Sequence, residues 1–310
     1  MASTEVLSDA QVKQFYDDGY LVIPNFLSKD EVDSLMARSK QLLEEFSLEG
    51  HPLTKFSTGE DTAHVGDEYF LNSGDKIRYF LEEDAVTDGK LNRPKERAVN
   101  KIGHALHELD PIFREITLNN PKLQALARQL KFHSDPLVLQ SMIICKQPEI
   151  GGKVPEHNDS TFLYTSPPSA LGFWFALERC TPSNGALSFL PSSHLTTDIN
   201  KRFVRMPQGG TDFEPVEKPE KPLDLSRDNR TEPSTSPAEY KLETCEAGAL
   251  VIIHGSVLHK SEKNTSGLTR YAYTFHMIES PPLATYDEKN WLQPTSSMPF
   301  SRLFNSHQVV

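Results

Sequence analysis

Two short stretches of this chain carry side chains that could share one metal ion. In His157-Asn158-Asp159 an imidazole and a carboxylate stand two residues apart. In an extended segment, residues at that spacing project to the same side. A His-x-Asp alone is common on protein surfaces, so it needs a third ligand to mean anything. The stretch from His254 to Asn264 offers two histidines, His254 and His259, between the apolar run Ala249 to Ile253 and Arg270. Two histidines and one carboxylate form a facial triad that holds one side of an Fe(II) octahedron and leaves three positions open. A 2-oxo acid can chelate through two of these, and O2 can take the third. The far carboxylate of such an acid needs a cation. Arginine suits this because its planar fork pairs with a carboxylate and stays charged. Arg270 follows His259 by eleven residues, a fitting distance for the next strand after a turn, whereas the same count from His254 reaches Thr265.

The elements that must position these residues fall into two parts. The first, about residues 1–135, reads as helical. Ser8 to Gln11 and Ser28 to Glu31 are capping boxes, each opening a run of apolar residues at helical spacing. Gly19 reads as the stop of the first helix, and Tyr20 to Ile23 as a short strand. A third helical region is expected over about Asn100 to Leu130, with Ile102, Leu106, Leu109, Ile112 and Ile116 on its apolar face. Gly50 to Asp67 reads as loop. From about Pro136 to residue 300 the pattern turns to short strands: Val138 to Cys145, Leu171 to Leu177, Ala186 to Leu190, Ala249 to Ile253 and Arg270 to Ile278. Strands that follow helices rather than alternating with them argue against a doubly wound sheet and for a sandwich or a double-sheet jelly roll. A proline-rich insert from about Met206 to Ala238 is expected to be a long loop, either surface decoration or a lid over the site.

Taken with their surroundings, these residues resemble the phytanoyl-CoA dioxygenase family of Fe(II)/2-oxoglutarate oxygenases. The resemblance covers nearly the whole chain. It is carried by Phe70 to Arg78, Asn100 to His107, Gln140 to Met142, Phe162 to Thr165 and Asn290 to Pro294, besides the His157-x-Asp159 pair. It implies a mainly β fold with flanking helices, a cupin-like double-stranded β-helix, spanning residues 1–310 as a single dioxygenase domain. It implies iron on His157, Asp159 and His259 and 2-oxoglutarate held by Arg270, with Lys101, Met142, Trp174 and Ser261 lining the same pocket. The family pattern His-x-Ser-x-x-Asn fits His259, Ser261 and Asn264 and fails at His254.

The residues themselves support that lining less strongly. Lys101 would sit at the head of an amphipathic helix, where lysines are usually solvated, and Met142 in an apolar strand is ordinary core. Trp174 alternates with Phe173 and Phe175, so the two sets face opposite ways, and periodicity does not say which faces inward. Ser261, two residues after His259, can share its side. His104 and His107 are three apart on the expected helix, with no carboxylate or cysteine to complete a site. His194 closes a turn in which Ser192 stands where the family commonly has glycine, a substitution that matters if the position needs a positive φ.

The implied reaction consumes 2-oxoglutarate and O2, releases succinate and CO2, and hydroxylates a C–H bond of a small organic or lipid-like substrate, with ascorbate as a reductant. Because Asp159 fills the place a halide would need, hydroxylation is expected over halogenation. Two rivals remain: a zinc hydrolase built on the same three side chains, and a sensor that binds 2-oxoglutarate without oxidising anything. The charge of −11, from 32 Lys and Arg against 43 Asp and Glu, argues against nucleic acid or anionic membrane as partner. The chain shows no signal-like start, apolar span or peroxisomal ending, so a cytoplasmic location is expected. Cys145, Cys180 and Cys245 are isolated and odd in number, which suits buried thiols in a reducing compartment better than a disulfide framework.

Overall fold

The computed structural model describes residues 6–56, 66–223 and 239–304. It is mainly β, two antiparallel sheets facing each other as a jelly roll with helices stacked on one outer face.

The opening follows the sequence closely. Helix α1 (Asp9–Asp18) starts at Ser8, whose hydroxyl accepts from Gln11 N while the Gln11 side chain closes the box. It ends at Gly19, with φ of 80°. Strand β1 (Tyr20–Ile23) follows, then α2 (Lys29–Glu45) with the same reciprocal cap between Ser28 and Glu31. Here the pattern departs from expectation. There is no continuous helix over 100–130. After β2 (Ile77–Leu81), residues Val99–His104 form strand β3, paired with β2, and helices α3 (Leu106–Leu109), α4 (Pro111–Thr117) and α5 (Pro121–Leu130) come only afterwards. The apolar positions at 102 and 106 fit a helical spacing, but pairing on both edges decides. Strand β3 also lies against β4 (Pro136–Ile144), with Lys101 opposite Ile144 and Gly103 opposite Met142. Lys101 is therefore a strand residue, and His104 and His107 do not share a helix.

The remaining strands longer than two residues are β5 (Val154–His157), β6 (Leu171–Ala176), β7 (Leu187–Phe189), β8 (Lys201–Arg205), β9 (Thr211–Pro215), β10 (Lys241–Glu243), β11 (Leu250–His254), β12 (His259–Ser261) and β13 (Ala272–Glu279). The major sheet runs β1-β11-β6-β13-β4-β3-β2 and the minor sheet β10-β7-β12-β5. Strands β2 and β3 thus extend the major sheet from the N-terminal part.

Alternation along the major sheet separates two cores. Phe173, Phe175, Leu250, Ile252, Tyr273, Phe275 and Ile143 pack outward with Phe15, Leu35, Phe113 and Leu126 of the helices. Trp174, Val251, Ile253 and Ala272 face inward with Phe189 of the minor sheet. The direction of Trp174, open from periodicity alone, is inward. The proline-rich insert is only partly loop. Strand β9 lies within it and pairs with β8 from Lys201 opposite Pro215 to Arg205 opposite Thr211. Its Phe213 ring packs 5.2 Å from Phe203, so the stretch contains an apolar anchor. Residues 224–238 of the insert lie outside the described residues.

Candidate metal centre

The minor sheet brings the two histidine segments side by side. His157 ends β5 and His259 opens β12, directly opposite one another in the ladder. Their rings stand 4.2 Å apart between centroids. After His157 the chain enters a single 3-10 turn, Asp159–Thr161, in which the Asn158 side chain accepts from Thr161 N at 3.0 Å. That turn swings Asp159 back toward both rings. Asp159 Oδ1 lies 3.7 Å from His157 Nε2 and 3.8 Å from His259 Nε2. One donor atom from each of the three residues falls within 4.8 Å of the others, and among the described residues this is the one group of at least three His, Cys, Asp or Glu so placed.

The tautomers suit a metal. His157 Nδ1 faces the Pro155 carbonyl at 2.9 Å, and His259 Nδ1 faces the Val257 carbonyl at 3.1 Å. A carbonyl can only accept, so each Nδ1 carries the proton and each Nε2 keeps its lone pair for the centre. Burial, with His259 alongside, pushes His157 down to about 4, keeping it neutral as a ligand must be. For Asp159 burial alone would raise the carboxyl, but the imidazoles of His276, His259 and His157 outweigh it and hold it well below the carboxylate range.

His276 was not singled out in the sequence, where it reads as a lone histidine in an apolar strand. It lies on the inward face of β13, and its Nε2 stands 3.3 Å from Asp159 Oδ2, the oxygen turned away from the other two histidines. Gly172 on the adjacent β6 leaves room for this pair. A Cβ there would sit 3.3 Å from both Asp159 Oδ2 and His276 Nε2.

Arg270, just before β13, is 2% exposed and has its guanidinium 5.2 Å from the Trp174 ring. Its Nε and Nη1 are buried without a hydrogen-bond partner, as is Trp174 Nε1. Three buried donors without acceptors on one inner surface are costly unless something anionic or polar meets them. Met142 is buried on β4, facing the same interior from between Gly103 and Thr274. Lys101 points its amine 3.2 Å over the Phe56 ring, and burial pushes it down to about 7. Ser261 Oγ donates to Gly185 O at 2.8 Å and accepts from Lys146 Nζ at 2.7 Å. Lys146 was also missed by sequence reasoning. It follows the last residues of a strand and carries no motif of its own.

The other candidates separate cleanly. His254 is buried elsewhere, at the helix–sheet junction, with its ring 5.0 Å from Phe132 and its Nδ1 accepting from Ser256 N. His194 Nε2 reaches Tyr16 O, and Ser192 does adopt φ of 63°, held by its hydroxyl donating to Asp17 O. His104 and His107 bond to Ser73 and Ser141. All three cysteines are free thiols.

Comparison with known proteins gives the family. Residues 15–272 match the model of phytanoyl-CoA dioxygenase (PhyH). The chain is 43% identical over 309 residues to phytanoyl-CoA dioxygenase domain-containing protein 1 of Bos taurus, covering 96% of this chain and 99% of that one. It is 39% identical to a phytanoyl-CoA dioxygenase of Arabidopsis thaliana, covering 94% and 96%. In fold it is similar to the non-heme alpha ketoglutarate dependent carbocyclase SnoK from nogalamycin biosynthesis, with TM-score 0.59, 19% identity and coverage of 96% and 97%. It is likewise similar to EctD from S. alaskensis with 2-oxoglutarate and 5-hydroxyectoine, with TM-score 0.55, 18% identity and coverage of 90% and 78%. The chain belongs to the phytanoyl-CoA dioxygenase family.

Proposed function

We propose that this protein is an Fe(II)- and 2-oxoglutarate-dependent dioxygenase that hydroxylates a C–H bond of a small organic or lipid-like substrate. The observation that carries the reading is the pairing of two features on facing sheets: the His157, Asp159, His259 triad and the buried, uncommitted guanidinium of Arg270. Iron and 2-oxoglutarate, when bound there, supply O2 activation, with O2 as second cosubstrate, succinate and CO2 as products and ascorbate as an external reductant.

The protein's own contribution is positional. His157 and His259 offer Nε2 lone pairs because their Nδ1 protons are held by backbone carbonyls. Asp159 offers the one charge and fills the position a halide would need, which favours hydroxylation. Arg270 clamps the far carboxylate of 2-oxoglutarate, a charge-assisted bond of about 1.5–3 kcal/mol. Met142, Trp174, Lys101 and Ser261 line the same space. The membership of the family and the likeness to fold relatives named for 2-oxo acid dependence support this. A hydrolase would have no use for a buried cation at that place.

The substrate side is aromatic. Phe162 stands 5.9 Å from the His157 ring and packs on Phe203 and Phe213 of the β8–β9 hairpin. That wall suits an apolar substrate, and it makes the hairpin at the start of the insert a lid element. Strands from the N-terminal part and the jelly-roll core meet in one sheet, which supports reading residues 1–310 as one catalytic unit. Among the described residues no helix is long and apolar enough to cross a membrane. The test is succinate formation from 2-oxoglutarate by the purified protein with Fe(II) and ascorbate. Binding of 2-oxoglutarate without succinate would favour the sensor, and hydrolysis without 2-oxoglutarate would favour the zinc enzyme.

A further inference from the structure

We propose that Lys146 is a second anchoring cation of the 2-oxo acid pocket, holding Ser261 in place and, with Arg270, making that pocket selective for a dicarboxylate. The inference rests on the reading of this pocket given under Proposed function. It assigns a role to a residue outside the triad and outside the lining that the family resemblance implies.

The backbone ties Lys146 to Arg270. Its carbonyl accepts from Arg270 N at 3.2 Å and from Asn264 Nδ2 at 3.0 Å. Its side chain is turned inward and only 2% exposed. The stem runs through a slot between two glycines. A Cβ on Gly185 would lie 2.2 Å from Lys146 Cε, and one on Gly151 would lie 2.7 Å from Lys146 Cγ. At its end Nζ donates to Gly152 O at 3.0 Å and to Ser261 Oγ at 2.7 Å.

Counting donors gives the argument. The Ser261 hydroxyl has one proton, and it is spent on Gly185 O. Ser261 therefore has nothing left to donate to an anion in that corner. An ammonium has three donors, and Lys146 has spent two of them on neutral acceptors. No carboxylate lies within ion-pairing distance of it among the described residues. The buried acid nearby, Glu82, already accepts from Asn100 Nδ2 at 2.8 Å and Gly152 N at 3.2 Å. The Arg270 guanidinium and the Lys146 amine are thus buried around one interior without ion-pair partners, an arrangement that a dianion would stabilise by favouring the charged amine.

Protonation is consistent with that picture. Burial first, and then Arg270, push the Lys146 amine down to about 6; Glu82 and Glu262 pull it up and Lys101 pushes it down. That shift favours the neutral amine, whose two N–H groups match its two acceptors. An arriving carboxylate favours the charged form, and the proton taken up is the third donor, the one available to the anion.

The experiment is anaerobic calorimetry of the metal-loaded protein with two ligands. 2-Oxoglutarate carries the far carboxylate; pyruvate has the same chelating head without it. For Lys146→Met, which keeps the stem, 2-oxoglutarate binding should weaken about tenfold or more, as for loss of a charged hydrogen bond. Pyruvate binding should stay unchanged. Wild type should take up a proton on binding 2-oxoglutarate at pH 7.5, read from the enthalpy in buffers of different ionisation heat, and Lys146→Met should lose that uptake. Ser261→Ala, which leaves the amine, should keep it. Unchanged 2-oxoglutarate affinity in Lys146→Met, equal weakening of both ligands, or retained proton uptake would overturn the proposal. If Lys146→Met does not fold, absence of proton uptake in wild type overturns it, and uptake lost on Lys101→Met but kept in Ser261→Ala assigns the proton to Lys101 and overturns it too. If wild type binds neither ligand, the 2-oxo acid reading itself falls and takes this proposal with it.

Discussion

Among the described residues two histidine pairs stand close together, and one of them is arranged so that it could hold a metal. His157 and His259 stand 4.2 Å apart between ring centroids, and His194 and His254 stand 4.6 Å apart. The difference lies in what each nitrogen has to do. In the first pair both Nδ1 atoms donate to the carbonyl two residues back in the chain, so both Nε2 atoms turn toward Asp159. In the second pair His194 spends Nε2 on Tyr16 O and His254 spends Nδ1 on Ser256 N, among the rings of Phe15 and Phe132. His133 joins that second group, bonded to Ser169 O, and among the described residues these three histidines do not form a group placed to share a metal ion. Proximity of histidines is therefore not the signal. The signal is a shared Nδ1 lock with a carboxylate opposite.

Breaking the first group should have the largest effect. Asp159→Ala removes the single charge, and His157→Ala one of two nitrogens. Either variant should abolish 2-oxoglutarate turnover while circular dichroism shows the fold intact. Near wild-type succinate production by either would dissolve the contrast between the pairs. Next in size is His276. Its Nε2 faces Asp159 Oδ2, whereas His157 and His259 face Oδ1. His276→Ala should weaken metal binding about 10–100-fold, as loss of a polar group supporting a ligand usually does, and His276→Gln should recover part of it. An unaltered metal titration would show that Asp159 needs no such support. Arg270→Lys keeps the charge and loses the fork, so 2-oxoglutarate affinity should fall roughly tenfold with iron affinity nearly unchanged.

Smaller effects mark the second group as structural. Burial pushes His133 and His194 each down to about 4. A histidine with a depressed folded value stays neutral in the fold while the unfolded chain protonates near 6.5. Its contribution is whole above about pH 6.5 and is lost progressively as pH falls toward 4. The urea midpoint should therefore decline across that window. In a protein carrying His194→Gln the decline should be shallower. An identical slope would place the sensitivity elsewhere.

Much of this was legible in the sequence because it was local. The two capping boxes, the Gly19 stop and the alternation around Trp174 each depend on neighbours within a few residues. The spacing from His259 to Arg270 and the His-x-Ser-x-x-Asn pattern, both local, are what favour His259 over His254 in the sequence. What failed were features set by distant partners. Residues 99–104 carry a helix-compatible pattern yet form a strand, because β2 and β4 flank them on both sides. β9 was hidden in a proline-rich stretch because Phe203 and Phe162, the partners of its anchor Phe213, lie outside that stretch. His276 and Lys146 gave no signal because their meaning comes from Asp159, more than a hundred residues earlier, and from Ser261, more than a hundred later.

The most direct test compares one alanine substitution in each pair. Anaerobic Fe(II) titration in the presence of 2-oxoglutarate, followed by metal content after desalting, is run on His259→Ala and His254→Ala. The account predicts that His259→Ala loses stoichiometric iron. It predicts that His254→Ala retains iron and loses about 2–4 kcal/mol of stability, as expected for a cavity among buried rings. Iron retained by His259→Ala and lost by His254→Ala in a folded protein would contradict it and move the metal centre to the other pair.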